Sequence, residues 1–219
     1  MNITNKMKLE IIDILTTNKI LGNEYVENIY FSYKKQENFI LPNSIVALEN
    51  YVSNCSLCEL GKLKKNSLFA KGNIFSRFYI IGLNYNYTDD KKFELLKNMV
   101  ENVIDVNINN TYITNILKCN AIKSNNNYNK EAELCVNYLE KQITIGAPEI
   151  IITIGDAFDH MIKSKDKVTD VSGKLFSYNG TDLIPLMDPE FIYKNPSYKE
   201  KMYQDLKKIK IRMDEKWIS

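Results

Sequence analysis

Four cysteines are the residues of this chain whose spacing most directly indicates chemistry. Cys55 and Cys58 form a CxxC pair, and Cys119 and Cys135 follow much later in the chain. Four thiolates can hold a structural zinc ion, and they can also hold an iron–sulfur cluster, which accepts dispersed ligands. The third alternative is that some of these cysteines are small apolar residues of the core. The spacing favours a metal site and leaves the choice between zinc and a cluster open.

A carboxylate at the end of an apolar run is the second candidate for chemistry. The run LIPLM stops at Asp188-Pro189. Asp is common at helix N-caps and in turns, so Asp188 can be purely structural. It can also be a working side chain, because ligands of parallel sheets bind beyond the carboxyl ends of the strands. His160 is the only histidine, and we expect it on a helix surface away from this edge.

Four short apolar runs must position these residues, namely FYIIGL, TYITNIL, EIIITIG and DLIPLMD. They lack strict alternation, and helical patterns separate most of them. This order predicts an α/β fold with a parallel sheet and helices on both faces. Asn179-Gly180 predicts a hairpin turn before the last run. The strand ends bring Gly82, Asn115 and Asp188 to one edge of the predicted sheet.

Composition bounds the remaining possibilities. The chain has 219 residues, of which 44% are hydrophobic and 26% charged, and its formal net charge is +2. This length suits one well-buried domain, and the small charge restricts any nucleic-acid surface to a local patch. No run reaches the length of a membrane span, and the N-terminus is too charged for a signal peptide. We therefore expect a cytoplasmic protein with reduced thiols. Residues 1–50 are predicted to form an N-terminal helical extension, and residues 51–219 the main domain.

The order of these motifs resembles the family 4 uracil-DNA glycosylases, bacterial and archaeal enzymes that carry a [4Fe-4S] cluster. The matching segments are NCSLCELGKLKKNSLFAKGN, YITNILKCNAI, CVNYLEKQITIGAPEIIITIGDAF, SGKLF and DPEFIYKNP. The resemblance implies a three-layer α/β/α sandwich around a four-stranded parallel sheet. It implies hydrolysis of the N-glycosidic bond of deoxyuridine in DNA, after the base has flipped into a pocket. It also places Cys55, Cys58, Cys119 and Cys135 on the ligand positions of the cluster.

The resemblance further implies a set of substrate residues around the ends of two strands. Asn115 matches the asparagine that reads uracil, since its amide can donate to O4 and accept from N3–H. The family motif Gly-Glu-Ala-Pro-Gly reads Gly82-Leu83-Asn84-Tyr85-Asn86 here. Gly82 and Tyr85 are therefore candidate substrate-binding residues, and Asn84 is a candidate catalytic residue.

Asp188 is the second candidate catalytic residue, because the His-Pro motif of the family reads Asp188-Pro189 here. An ionised Asp repels a developing uracil anion, so Asp188 helps only if it is protonated or if it activates water. The family segment whose Phe stacks on uracil is missing, and Tyr85 or Tyr87 could stack instead. Two hypotheses follow, a glycosylase with altered catalytic residues and a non-catalytic [4Fe-4S] nucleic-acid-binding relative.

Lysines near the CxxC pair and after Asp188 are candidate DNA-binding residues. They are Lys62, Lys64 and Lys65 in GKLKK, and Lys194 in YKNP. Lysine supplies sequence-independent affinity for phosphate, and the alternative is that these residues belong to solvated helix faces. We expect single- or double-stranded DNA as the partner, no membrane association, and a monomer.

Overall fold

A six-stranded sheet organises the part of the chain that the structure, a computed structural model, describes: residues 41–64, 66–85, 87, 90–120, 127–164 and 166–218. The strands are β1 (Ala70–Gly72), β2 (Phe78–Gly82), β3 (Tyr112–Asn115), β4 (Ile150–Ile154), β5 (Phe176–Tyr178) and β6 (Thr181–Leu186). Their spatial order is β1-β3-β2-β4-β6-β5. The four central strands pair in parallel, and both edge strands are antiparallel. The predicted four-stranded parallel sheet is confirmed as the centre of a larger one.

Eight α-helices lie in the described part of the chain. They are α1 (Ile45–Ser53), α2 (Glu59–Leu63), α3 (Asp90–Met99), α4 (Asn129–Gly146), α5 (Ala157–Ile162), α6 (Val168–Val171), α7 (Pro189–Lys194) and α8 (Lys199–Ile218). None of these helices is long and apolar enough to cross a membrane. Leu41–Ser219 form one compact unit, so α1 packs with the domain although the predicted boundary divides it. Most of the predicted extension lies outside the described residues.

Two separate apolar cores lie on the two faces of the sheet. In β2, Tyr79 and Ile81 belong to the core that also contains residues of α1, α4 and α5. Phe78 and Ile80 belong to the other core, which α3, α7 and α8 cover. Successive side chains of a strand point to opposite faces, so both faces of β2 are buried. This arrangement is the predicted α/β/α sandwich, and it explains why the strand sequences do not alternate.

The two edge strands depend on glycines at defined positions. Asn179 and Gly180 connect β5 to β6 with φ values of 50° and 85°, as a tight hairpin turn requires. Gly72 ends β1 with a φ of 99°, and a side chain there would overlap the main-chain carbonyl of Thr111. The hairpin prediction is confirmed. Strand β1 was not predicted, because its three residues are too few to show a pattern.

A buried carboxylate fastens α8 to the turn after α6. Asp205 is 1% exposed, and its Oδ2 accepts hydrogen bonds from Ser172 Oγ at 2.8 Å and Lys201 Nζ at 3.0 Å. Its Oδ1 accepts from Lys208 Nζ at 3.0 Å. Gly173 has a φ of 76°, and a side chain there would overlap the Asp205 carboxylate. The turn therefore requires glycine both for its backbone conformation and for this close approach.

A second ion pair joins α8 to the start of β6. Asp182 Oδ2 accepts from Arg212 Nε at 2.7 Å and lies 3.0 Å from Lys216 Nζ. Burial raises the pKa of Asp182, but the hydrogen bonds from Arg212 and Lys216 outweigh burial and leave that pKa below its usual value. The ionised carboxylate is thus the form that stabilises the fold.

Candidate functional site

The carboxyl ends of the four parallel strands form one edge of the sheet, where the predicted substrate residues lie. Gly82 ends β2 and Asn115 ends β3, and the two are Cα partners in the parallel ladder. Asp188 follows β6 by two residues. Strands β2 and β4 lie between β3 and β6, and three strand spacings amount to about 14 Å. All three residues therefore lie at the carboxyl ends of the parallel strands, with Asn115 and Asp188 on opposite sides of the centre of the sheet.

The amide of Asn115 is bound to the main chain of Tyr85. Asn115 Oδ1 accepts from the Tyr85 N–H at 2.9 Å, and its Nδ2 donates to the Tyr85 carbonyl at 2.8 Å. The side chain is 0% exposed. The main chain of Tyr85 thus presents one N–H and one carbonyl to the Asn115 amide. The resemblance assigns the same pair of groups to uracil.

Gly82 permits this close approach of Tyr85 to Asn115. A Cβ at position 82 would lie 2.5 Å from Tyr85 Cβ and 2.6 Å from Asn115 Oδ1. The segments that follow the two strands also bond to each other, since the N–H of Ile116 donates to the Gly82 carbonyl and that of Leu117 to the Leu83 carbonyl. The turn after β2 is therefore hydrogen-bonded to Asn115 and to the two residues that follow it.

The remaining predicted residues of this turn differ in their surroundings. The side chains of Tyr85 and Tyr87 are 8% and 6% exposed and belong to the core under α3. Asn84 is half-buried. Both tyrosine rings pack among apolar side chains, and a stacking role on a base stays a prediction for either of them.

Asp188 caps the helix that follows β6. Its Oδ1 accepts from the main-chain N–H of Glu190 at 2.7 Å, and Pro189 occupies the first helical position of α7. A Cβ on Gly155, just after β4, would lie 3.6 Å from the Asp188 Cβ. The structure therefore shows the capping role that the sequence left as one of two interpretations. The catalytic role of Asp188 stays a prediction.

Lys118 is a buried lysine of this region that the sequence analysis missed. It is 1% exposed. Its Nζ donates to Thr114 Oγ1 at 2.8 Å, to the Asn115 carbonyl at 2.5 Å and to Gln142 Oε1 at 2.5 Å. Burial lowers its pKa to about 7, although the nearby Cys135 acts in the opposite direction. A lysine between the apolar run YITNIL and a cysteine was the available signal, since charged residues rarely occur inside buried strands.

The CxxC pair lies in the loop between α1 and α2. The N–H of Cys55 donates to the Val52 carbonyl at 3.1 Å, and the Cys58 carbonyl accepts from the N–H of Lys62 at 3.1 Å. A side chain at Gly61 would lie 3.0 Å from the Cys55 carbonyl, so a glycine lets α2 pack closely on this loop. Both cysteines are half-buried.

Cys119 and Cys135 approach the same loop from other parts of the chain. Cys119 pairs with Ser67 in an isolated antiparallel bridge that lies beyond the paired residues of β1 and β3. Cys135 lies in α4 and accepts a hydrogen bond from the Lys118 main chain. Tyr138, one helical turn later, donates its hydroxyl to Cys55 Sγ at 3.3 Å. These contacts connect the loop, the end of β3 and α4.

The four thiols are free, and the two buried ones, Cys119 and Cys135, have raised pKa values. The pKa of Cys119 is raised to about 11, mainly because the thiol is buried; Lys64 lowers this pKa, and Cys58 and Cys55 raise it. Burial also raises the pKa of Cys135 to about 12, again with a contribution from Cys58. Thiolates are therefore disfavoured here unless a metal centre replaces the protons. Among the described residues, no group of three or more His, Cys, Asp or Glu side chains is arranged to hold a single metal ion.

The lysines predicted to contact DNA have different surroundings. Lys62 is exposed in the last turn of α2. Lys64 Nζ donates a hydrogen bond to the Val52 carbonyl at 2.8 Å. The positive charge of Lys64 also lowers the pKa of the Cys119 thiol. Lys194 is exposed and pairs with Glu190 at 2.8 Å. Lys65 lies outside the described residues. Contact with DNA stays a prediction for all four.

Comparison with known sequences identifies the superfamily to which the chain belongs. The family model described as the uracil DNA glycosylase superfamily matches residues 65–207, and the chain therefore belongs to that superfamily. The type-4 uracil-DNA glycosylases of Sulfurisphaera tokodaii and Saccharolobus solfataricus are 25% and 26% identical to it over 185 residues. Those alignments cover 77% of this chain and 84% and 86% of the relatives. The type-4 uracil-DNA glycosylase of Thermotoga maritima is 24% identical over 156 residues, which are 67% of this chain and 81% of that relative. The resemblance to family 4 is thereby confirmed.

Proposed function

We propose that this chain is a uracil-DNA glycosylase-like protein of base-excision repair, which binds a flipped uracil from DNA at Asn115 and hydrolyses its N-glycosidic bond. The observation that carries the proposal is the Asn115 amide, which lies at the carboxyl edge of the sheet and is paired with one donor and one acceptor. Membership of the superfamily supports the same substrate. The buried position also supports it, because hydrogen bonds discriminate best in a site without water.

The chemistry on the sugar side of the bond is assigned to Asp188. An ionised carboxylate repels the departing uracil anion, so its useful role is to orient and deprotonate the attacking water. Its Oδ1 already accepts from the N–H of Glu190, and a fixed carboxylate is suited to positioning a water molecule. Leu83 occupies the place of the family's motif glutamate and can do neither task.

The four cysteines are the residues that would hold a [4Fe-4S] cluster. The donor set fits one, since Cys55, Cys58, Cys119 and Cys135 are free thiols that are buried or half-buried, and a hydrogen bond from Tyr138 joins α4, which carries Cys135, to Cys55. A cluster distributes its four thiolates over several iron atoms, so its ligands need not converge as closely as those of one zinc ion. When bound, the cluster supplies covalent links between the α1–α2 loop, the end of β3 and α4.

A second candidate function is a non-catalytic nucleic-acid-binding protein on the same scaffold. The capping hydrogen bond of Asp188 favours this alternative, because it gives the residue a structural reason to be present. In both cases DNA is the partner, and Lys62 and Lys194 are the exposed lysines assigned to its phosphates.

Uracil release from single- and double-stranded uracil-containing DNA tests the proposal. Anaerobically purified protein is compared with Asn115→Ala and Asp188→Ala, with the exposed Asp170→Ala as the matched control. We expect release by the wild type and the control and loss of release in both site variants. Full release by Asp188→Ala would contradict the role of that carboxylate. Absence of release by the wild type, with salt-sensitive DNA binding intact, would establish the non-catalytic alternative.

A further inference from the structure

We infer that the main chain of Tyr85 occupies the position of the base on Asn115, so that Tyr85 determines which bases the site accepts and how tightly. The inference rests on the proposed function, because it concerns the same asparagine. It starts from two hydrogen bonds of 2.9 and 2.8 Å that join the Asn115 amide to a single residue. With Asn115 at 0% exposure, a base gains access to this amide only when Tyr85 moves away.

The exchange of Tyr85 for a base sets a chemical condition on the ligand. Leaving the buried amide without hydrogen-bond partners costs free energy unless the incoming base supplies an equivalent donor and acceptor. Tyr85 offers an N–H to Asn115 Oδ1 and a carbonyl to Asn115 Nδ2. Uracil offers the same pair through N3–H and O4, whereas cytosine presents an acceptor at N3 and a donor at N4. The ligand class is therefore a base with a neighbouring N–H and C=O, and cytosine would require the Asn115 amide to rotate.

The displacement of Tyr85 has an energetic cost that the surrounding contacts define. Its side chain is 8% exposed within the core under α3. The preceding residues are held by the bonds from Ile116 to the Gly82 carbonyl and from Leu117 to the Leu83 carbonyl. When only a fraction of the protein molecules is in the binding-competent state, the apparent affinity is reduced by that fraction. Tyr85 thus lowers the affinity for every base and penalises most those that cannot replace both of its hydrogen bonds.

Amide hydrogen exchange at Tyr85 tests the inference in the full-length protein. The probes are a single-stranded oligonucleotide with one deoxyuridine and the same oligonucleotide with deoxycytidine. We expect the Tyr85 N–H to be protected in the free protein and to exchange faster when the uracil oligonucleotide saturates it, the reverse of the usual effect of a ligand. Protection that persists at saturation, while binding still depends on Asn115, would overturn the inference and leave the proposed function intact. Binding that Asn115→Ala does not weaken would overturn both.

Two variants at position 85 provide an independent measurement. Tyr85→Pro removes the N–H that Asn115 accepts, so the uracil oligonucleotide should bind about fivefold more tightly, the factor expected for one net hydrogen bond. Tyr85→Phe keeps both main-chain groups, and the protection of its amide should match the wild type. A folded Tyr85→Pro protein with wild-type affinity would contradict the inference. If that variant does not fold, the exchange measurement on the wild type decides alone.

Discussion

Gly82→Ala adds one methyl group at the closest contact of the candidate site. Its Cβ would lie 2.5 Å from Tyr85 Cβ and 2.6 Å from Asn115 Oδ1, whereas carbon atoms pack favourably at about 3.5–4.0 Å. A neighbour must therefore retreat by about 1 Å. Gly82 and Asn115 are held in the ladder between β2 and β3, so the turn that contains Tyr85 is the part that moves.

The expected loss of stability follows from these contacts. Movement of Tyr85 breaks two buried hydrogen bonds, each with a net contribution of about 1 kcal/mol. Overpacking of a well-packed region adds about 1–3 kcal/mol. The free energy of unfolding should fall by about 4 kcal/mol, and the melting temperature of a domain of this size should fall by about 10 °C.

Urea unfolding and thermal melting measure this effect in the wild type, Gly82→Ala, Asn115→Ala, the double variant Gly82→Ala/Asn115→Ala and a control variant. Gly180→Ala is the matched control, because a Cβ there has no neighbour within 4 Å. It carries only the cost of a left-handed conformation, since φ is 85°, and should lose about 1–2 kcal/mol. In the double variant Gly82→Ala/Asn115→Ala the clash with Asn115 Oδ1 is absent. The double variant should therefore lose less stability than the sum of the losses of the two single variants. A loss below about 0.5 kcal/mol for Gly82→Ala would refute the reasoning.

Three further predictions concern the fastening of α8 and the cysteine site. Asp205→Ala should lower the free energy of unfolding by about 3 kcal/mol, because a buried acceptor of a serine and two lysines is lost. The exposed Asp214→Ala on the same helix should cost under about 0.5 kcal/mol in the same urea titration. Asp182→Asn should cost about 1–2 kcal/mol at pH 7, where the ion pair with Arg212 is intact. The Asp182 pKa is depressed, so its contribution is present above the unfolded pKa of about 3.9 and is lost as pH falls through the folded value. Cys119→Ser should lose iron and visible absorbance after anaerobic purification and should melt at a lower temperature.

Each of these three predictions can be contradicted by a specific result. Equal stability of Asp205→Ala and Asp214→Ala would show that the buried carboxylate contributes little. An unchanged slope of stability against pH below pH 4 in Asp182→Asn would remove that residue from the acid transition. Full iron retention and an unchanged melting temperature in Cys119→Ser would exclude the assigned ligand set.

The central sheet could be predicted because its strands are short runs of apolar residues between helical patterns. Burial on both faces makes β2 and β4 almost entirely apolar, which is a strong signal. The hairpin could be predicted from Asn179-Gly180, because few other residues adopt two successive positive φ values. Strand β1 could not, since its pairing with β3 depends on a partner distant in sequence.

The candidate site could be predicted only in part. The position of Asn115 at a strand end follows from its motif and from the apolar run before it. Its pairing with Tyr85 could not be predicted, because main-chain hydrogen bonds can be made by almost any residue type. The buried position of Lys118 depends on Gln142 and Thr114, which accept from its ammonium group. Gln142 is distant in sequence and becomes a neighbour of Lys118 only when α4 packs against the end of β3.

The parallel ladder between β2 and β3 has a consequence for how this site can change in evolution. Gly82 lies opposite Asn115 by register, one residue per rung. A shift of one residue in β3 would turn the Asn115 amide to the opposite face, and a shift of one residue in β2 would place Ile81 or Leu83 opposite Asn115 in place of Gly82. Single-residue insertions or deletions within these two strands should therefore abolish the proposed recognition of uracil by Asn115, even where both cores could still be filled. Substitutions can change this site gradually, but changes in strand length cannot.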